Sequence, residues 1–156
     1  MTTTGTGLKI TGLSATKEML KSQREDIQEI IRAAMEEGAL AIEGEAKRRC
    51  PVDTGRLRGS ITTAATIEDD EKVVARVGTN VEYAAAVEYG TGVFAENGNG
   101  RNTPWVWKGD GKKHGGWHTT SGYAAKPFLR PAYEARKLDA MKIIANHLRK
   151  KLEGNP

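Results

Sequence analysis

From Lys17 to Arg49 the apolar residues Leu20, Ile27, Ile31, Ala34, Gly38, Ile42 and Ala46 recur at spacings of three, four or seven, and Ile30, Met35 and Ala41 widen the stripe. Positions at that period share one face of an α-helix. The spacing predicts a single amphipathic helix of roughly 30 residues, about 45 Å long at a rise of about 1.5 Å per residue. Such a helix constrains everything else in a chain of 156 residues, because so small a domain cannot cover it all. The uncovered part is expected near Ala34, Gly38 and Ala41, facing another subunit. Ser14 or Thr16 is the expected N-cap, with Glu18 placed to answer the backbone there. Lys47, Arg48 and Arg49 in the last turn suit the negative end of the helix dipole, a plainer reading than phosphate binding.

The helix must stop at Cys50-Pro51. Proline has no backbone donor, and it pushes the residue before it out of the helical region. Asp53 and Thr54 can hydrogen-bond the backbone just ahead of them, and Gly55 supplies the positive φ of a tight reversal. Leu57 and Ile61 are the first apolar residues able to dock the new segment on the helix. A well-made turn explains Asp53 and Cys50 better than catalysis does. The basic residues beside Cys50 could lower its pKa, yet no histidine is near in sequence to act as a base.

Beyond the joint, Ser60–Ile67 is β-branched and reads as a strand, residues 68–71 as an acidic turn, and Lys72–Gly78 as the returning strand of a hairpin. Thr79-Asn80 opens a short helical turn over Val81–Tyr89, with Tyr83 and Val87 on its packing face, stopped by Gly90. Residues 93–122 are Gly-rich and hold all three tryptophans, at 105, 107 and 117. They read as an insertion that projects from the domain, with Trp105-Val106-Trp107 as one strand of an extended hairpin returning near Trp117-His118. Tryptophans in such a loop suit contact with another protein better than they suit a core. Lys126-Pro127-Phe128-Leu129-Arg130-Pro131 is an extended connector, and Pro131 is expected as the first residue of a final helix. That helix would carry the stripe Ala135, Leu138, Met141, Ile144, Ala145, Leu148 and Leu152 and pack on the first. Residues 1–13 read as an N-terminal arm, with a short strand around Leu8-Lys9-Ile10. The whole is expected to be one α+β domain, residues 1–156.

Several chemistries find no support in the residues. One cysteine allows neither an internal disulfide nor a cysteine-based zinc site. His114 and His118 are four apart, but in a Gly-rich loop without a third ligand at metal spacing, so no metal is expected. Gly90-Thr91-Gly92 lacks the ending of a phosphate loop. No catalytic residue set and no cofactor site emerges. No apolar run approaches the roughly 20 residues that span a bilayer, and the N-terminus has no signal-peptide pattern, so a cytosolic product is expected. The net charge of +4 is modest and scattered, which disfavours sequence-specific nucleic-acid recognition, although Arg149-Lys150-Lys151 and the Trp/Lys-bearing loop keep a nucleic-acid-binding accessory role as an alternative.

The order of the joints is more specific than any one of them: Cys50-Pro51-Val52-Asp53-Thr54-Gly55-Arg56-Leu57-Arg58-Gly59-Ser60-Ile61 after a long helix, Val77-Gly78-Thr79, Tyr83-Ala84, Val87-Glu88-Tyr89-Gly90-Thr91-Gly92, and Lys126 to Ala132. Over roughly residues 15–150 this resembles the gene-10-product family of HK97-like tailed phages, tail-component or tail-completion proteins encoded among the head–tail joining genes. The resemblance implies an α+β, non-enzymatic virion subunit that assembles in the host cytoplasm. It implies a homo-oligomeric ring, expected to be hexameric, in the neck, with the capsid connector or stopper and the tail terminator or tail tube as partners. A minor tail or virion-morphogenesis protein outside the neck is the alternative within phage biology. The stretch 93–122 is longer than the family minimum.

Overall fold

The computed structural model describes residues 13–68, 72–96, 98, 100–109 and 115–154. The expected strand at Leu8–Ile10 and the tip of the acidic turn lie outside them. The long apolar period does become one helix, α1, Leu13–Arg49, of 37 residues, about 55 Å. It begins earlier than expected, so Ser14 and Thr16 lie within it and neither is its N-cap. After the proline, Gly55 takes φ 82°, and it starts a short helix missed in the sequence, α2, Arg56–Ser60. Thr54 Oγ1 accepts the Arg56 N–H at 3.4 Å, and the Gly59 N–H returns to the Gly55 carbonyl at 2.9 Å. This one turn of helix points Leu57 and Ile61 inward, where both are buried.

The hairpin follows as β1, Thr62–Glu68, and β2, Lys72–Gly78, antiparallel with Thr62 opposite Gly78 and Glu68 opposite Lys72. One face of this ribbon rests on α1. Then come α3, Ala84–Tyr89, a 3₁₀ turn at Gly92–Phe94, a second antiparallel ribbon of β3, Trp105–Gly109, and β4, Gly116–Thr120, and the closing helix α4, Leu129–Leu152. The architecture is α+β: two long helices side by side with small antiparallel ribbons.

The core gathers where the joints meet. Ala46 and Cys50 from α1, Leu57 and Ile61 from the joint, Val81 and Ala84 from the α3 region, and Phe128 and Ala132 from α4 form one buried cluster, joined by Val77, Val87 and Leu129. Phe128 and Ile61 are fully buried. Removing an aromatic ring from such a site costs on the order of 3–5 kcal/mol.

α4 runs antiparallel to α1. Glu45 meets Arg136, and Glu37 meets His147 at 2.5 Å. Two expectations about the helices are corrected by this pairing. The first concerns Ala34 and Gly38, expected at a face towards another subunit. Ala34 is fully buried, and the space of the missing Gly38 Cβ is occupied by Ile144, whose Cγ1 would lie 2.6 Å away. Small residues let α4 approach closely within the same chain; Ala41 is half-buried. The second concerns the stripe of α4. Leu138, Met141 and Leu152 are 65%, 63% and 68% exposed, while Ala132 and Ala140 are buried. The tight crossing sets Ile144 of the expected stripe and the buried Ala132 and Ala140 on the covered side of α4, and turns Leu138, Met141 and Leu152 outward. The uncovered part of α1 lies instead towards its N-terminus, where Met19, Leu20 and Ile27 are exposed.

The two helical glycines of α1 give a test of the crossing. Gly38→Ala places a methyl group against Ile144 and the Ala140 carbonyl, and should lower unfolding free energy by about 1 kcal/mol or more. Gly44→Ala meets nothing within 4 Å, and should raise it by about 0.5–1 kcal/mol. Urea unfolding of the two variants checks the opposite signs.

Candidate assembly interface

Glu88 is 3% exposed, yet it is a carboxylate on a six-residue helix. Its oxygens accept the backbone N–H groups of Phe128 at 2.7 Å, Leu129 at 3.0 Å and Arg130 at 2.9 Å. These are the leading donors of α4, which no turn of that helix can satisfy. The next residue, Pro131, has no N–H to leave unpaired. It is therefore the third residue of α4 and not, as expected, its first. A negative charge at this end also matches the helix dipole. Burial pushes the Glu88 carboxyl up, but the three amides and the Arg130 guanidinium outweigh it and hold it below the usual carboxylate value of 4.5.

Arg130 extends the same knot. Its Nε donates to Glu88 Oε1 at 3.1 Å, and its second guanidinium nitrogen reaches the Glu88 carbonyl at 2.9 Å and Glu96 at 2.7 Å, while the group lies 4.7 Å from the Tyr89 ring centre. One side chain thus joins α4, α3 and the start of the 93–122 stretch. Glu88 and Arg130 both stand in the sequence motifs, but nothing local marks them. A glutamate on a solvated helix reads the same as one aimed at an amide cluster 40 residues away.

The base of the tryptophan ribbon is fastened by backbone. Thr91 N–H donates to the Tyr123 carbonyl at 2.9 Å, Val93 N–H to the Ser121 carbonyl at 2.9 Å, and Tyr123 N–H to Thr91 Oγ1 at 3.0 Å. Gly92 and Gly122 allow the approach: a Cβ on either would stand 2.0 Å from a carbonyl oxygen of the other strand. Gly90, at φ 75°, ends α3 just before this seam. The expected hairpin return is present, with Trp107 opposite His118 and Lys108 opposite Trp117. Beyond its base the ribbon makes little contact with other helices or strands. Its two faces differ. Trp107 stacks on His118 with ring centres 4.9 Å apart, and Arg101 lies 5.6 Å from the Trp105 ring, so both indoles are half-covered. On the other face Trp117 is 73% and Val106 59% exposed.

Two concavities border these elements. One, about 720 Å³, lies between the Pro51–Leu57 joint and α3, with Val52, Tyr83 and Tyr123 on its rim; Asp53 and Thr54 belong to its wall. The other, about 840 Å³, has Met35 and Ile42 of α1 as floor, Ala75 and Val77 of β2 on one side, and Tyr133, Leu138 and Met141 of α4 on the other.

The basic triplet is engaged within the fold. Lys47 pairs with Glu43 at 2.5 Å, and Arg48 and Arg49 pair with Glu45, which also receives Arg136 at 3.1 Å. Burial raises the Glu45 carboxyl, but hydrogen bonds from Arg136 and Arg49 and the neighbouring charges hold it low. Cys50 is buried, and burial pushes its thiol up against the pull of Arg58, the reverse of the lowering its basic neighbours suggest. Among the described residues no cluster of histidine, cysteine or carboxylate side chains could hold a metal, and no helix is long and apolar enough to cross a membrane. His114 lies outside the described residues.

The fold is a helical pair bearing small ribbons, with Glu45, Glu88, Arg130 and Arg136 used for internal ties and several large apolar side chains, Trp117, Leu138 and Met141 among them, left exposed. In the family comparison, residues 14–90, from α1 to the end of α3, match the family described as Bacteriophage HK97-gp10, putative tail-component, the same family that the order of the joints resembles. The match ends before β3, β4 and α4. No curated protein and no solved structure matches the chain.

The cap can be tested directly. Glu88→Ala leaves three amides without an acceptor and should lower unfolding free energy by about 2 kcal/mol or more, read by urea denaturation. Because the folded pKa of Glu88 is depressed, its contribution is complete above the unfolded carboxylate value and is lost as pH falls below it towards the folded value. Glu88→Gln should therefore lose less stability than the parent between pH 5 and 3, about the range in which carboxylates titrate.

Proposed function

We propose that this bacteriophage tail component is a tail-completion subunit, which assembles with copies of itself into a ring in the neck between the capsid connector and the tail. The family description supports the coarse role. The observation that supports the finer one is the distribution of apolar surface: Met19, Leu20 and Ile27 on the uncovered part of α1, Leu138 and Met141 on α4, and Trp117 on a ribbon that stands off the body. Stretches of this kind on separate elements are what a subunit with neighbours on more than one side requires. On this reading the protein is a structural component of the virion and has no turnover chemistry. Its neighbours are further copies of itself, a connector or stopper ring on one side and a tail terminator or tube on the other.

A phage carrying this gene with an early stop codon tests the role. The expected lysate contains DNA-filled capsids and full-length tails that remain separate in negative-stain images, and purified protein added back joins them. A lysate lacking tails altogether would place the protein in tail morphogenesis outside the neck. Joined, infectious particles would remove it from both roles.

A further inference from the structure

The cleft between β2 and α4 joins two features that seldom occur together. Its floor is apolar, and its far wall sets Tyr133, Leu138 and Met141, each more than half exposed, beside the charged Arg130, Glu134 and Lys137. Its near wall is β2, which pairs with β1 alone among the described residues, so the other edge of β2 carries backbone groups without a strand partner. A helix lying in this cleft would strip water from those groups and give nothing back. An extended segment would pair with them and still fill the apolar space. The cleft therefore fits a β-strand.

The chain itself carries such a strand. β3, Trp105–Gly109, begins Trp-Val-Trp, apolar on both faces, the composition of a strand covered on both sides. Among the described residues it pairs with β4 alone, which leaves its other edge without a strand partner there, and Val106 and Trp117 stand uncovered on one face. The backbone seam of Thr91 and Val93 with Tyr123 and Ser121, closed over Gly92 and Gly122, fixes the base of the ribbon. In this arrangement the ribbon makes little contact with the β2 and α4 of its own chain.

We propose that the β3–β4 ribbon of one copy enters the β2–α4 cleft of a second copy, β3 adding to the free edge of β2 with Val106 and Trp117 against Leu138 and Met141. The exposed parts of these four side chains and Tyr133 amount to on the order of 600 Å². That is about half of the roughly 1,200 Å² at which specific interfaces begin, before the two backbones and flanking residues are counted. Ribbon and cleft are different surfaces, so each copy donates one and receives one. Such a head-to-tail contact propagates and closes into a ring when its rotation allows. The proposal rests on the ring reading above and names the joint within that ring.

The test uses two full-length variants, each altered only at exposed positions: Val106→Asp with Trp117→Ala on the ribbon, and Leu138→Glu with Met141→Glu at the cleft. Sedimentation velocity of the parent is expected to show concentration-dependent growth beyond a dimer. Each variant alone should raise the concentration of half-assembly by about tenfold or more, with an unchanged melting temperature. An equimolar mixture retains one intact ribbon and one intact cleft, and should give one-to-one dimers that grow no further. A parent that stays monomeric at several hundred micromolar overturns the proposal. So does either variant assembling like the parent, or a mixture that stays monomeric. If a variant unfolds, Trp117→Ala and Leu138→Ala carry the same test singly. Mixed dimers from a protein whose loss leaves head–tail joining intact would uphold this contact and refute the neck role alone.

Discussion

Three backbone amides at the start of α4 point at one carboxylate, and most of the molecule depends on that meeting. Without Glu88 the leading N–H groups of Phe128, Leu129 and Arg130 would lose their acceptor, that of Phe128 in a buried position and the other two in partly buried ones. With it, α4 starts at a fixed place beside α3, and Phe128 is held in the middle of the core. The position of Pro131 follows from the same constraint, since a residue without a donor is tolerated where no acceptor remains. The charge is itself tolerated in a buried site because amides and the Arg130 guanidinium surround it. A carboxylate left there without those donors would be strongly unfavourable.

From this point the consequences run outward. A fixed start for α4 sets its register against α1, where Gly38 and Ala140 allow the close crossing and Arg136 reaches Glu45. That register turns Leu138 and Met141 away from α1 and makes them a wall of the cleft beside β2. Arg130, tied through Glu96 to the segment after α3, also relates the helix to the base of the tryptophan ribbon. The two surfaces proposed to meet between copies are thus positioned by one internal knot. A subunit held this way presents both surfaces in fixed relation, which a closed ring requires of every member.

Local signals were legible where the physics is local. The period of three and four over Lys17–Arg49, the stop at Pro51, the reversal at Gly55 and the two hairpins each follow from neighbours in sequence, and the structure has them all. Failures occurred where a distant segment decides. The buried face of α4 runs through Ala132 and Ala140 because α1 comes close, and no pattern within α4 announces that. Ala34 and Gly38 read as surplus for the same reason: their partner, α4, lies more than 90 residues away. Glu88 stands within a motif with no local sign of its role, since only the fold brings it to residue 128. The glycines at 92 and 122 carry no local sign of their role, which is to permit a close backbone approach at the base of the ribbon. Of the tryptophans, composition could not tell that Trp105 and Trp107 share cover with Arg101 and His118 while Trp117 stands free of it.

Amide hydrogen exchange at Phe128, Leu129 and Arg130 tests the central claim most directly. First-turn amides of a helix ordinarily exchange quickly, because water is their only acceptor. Here they should be protected nearly as well as amides in the middle of α4, with protection of all three failing together in Glu88→Gln or as the carboxylate is protonated. Exchange at the rate of exposed amides in the parent protein near neutral pH would contradict the account, for it would mean that Glu88 does not hold the start of α4.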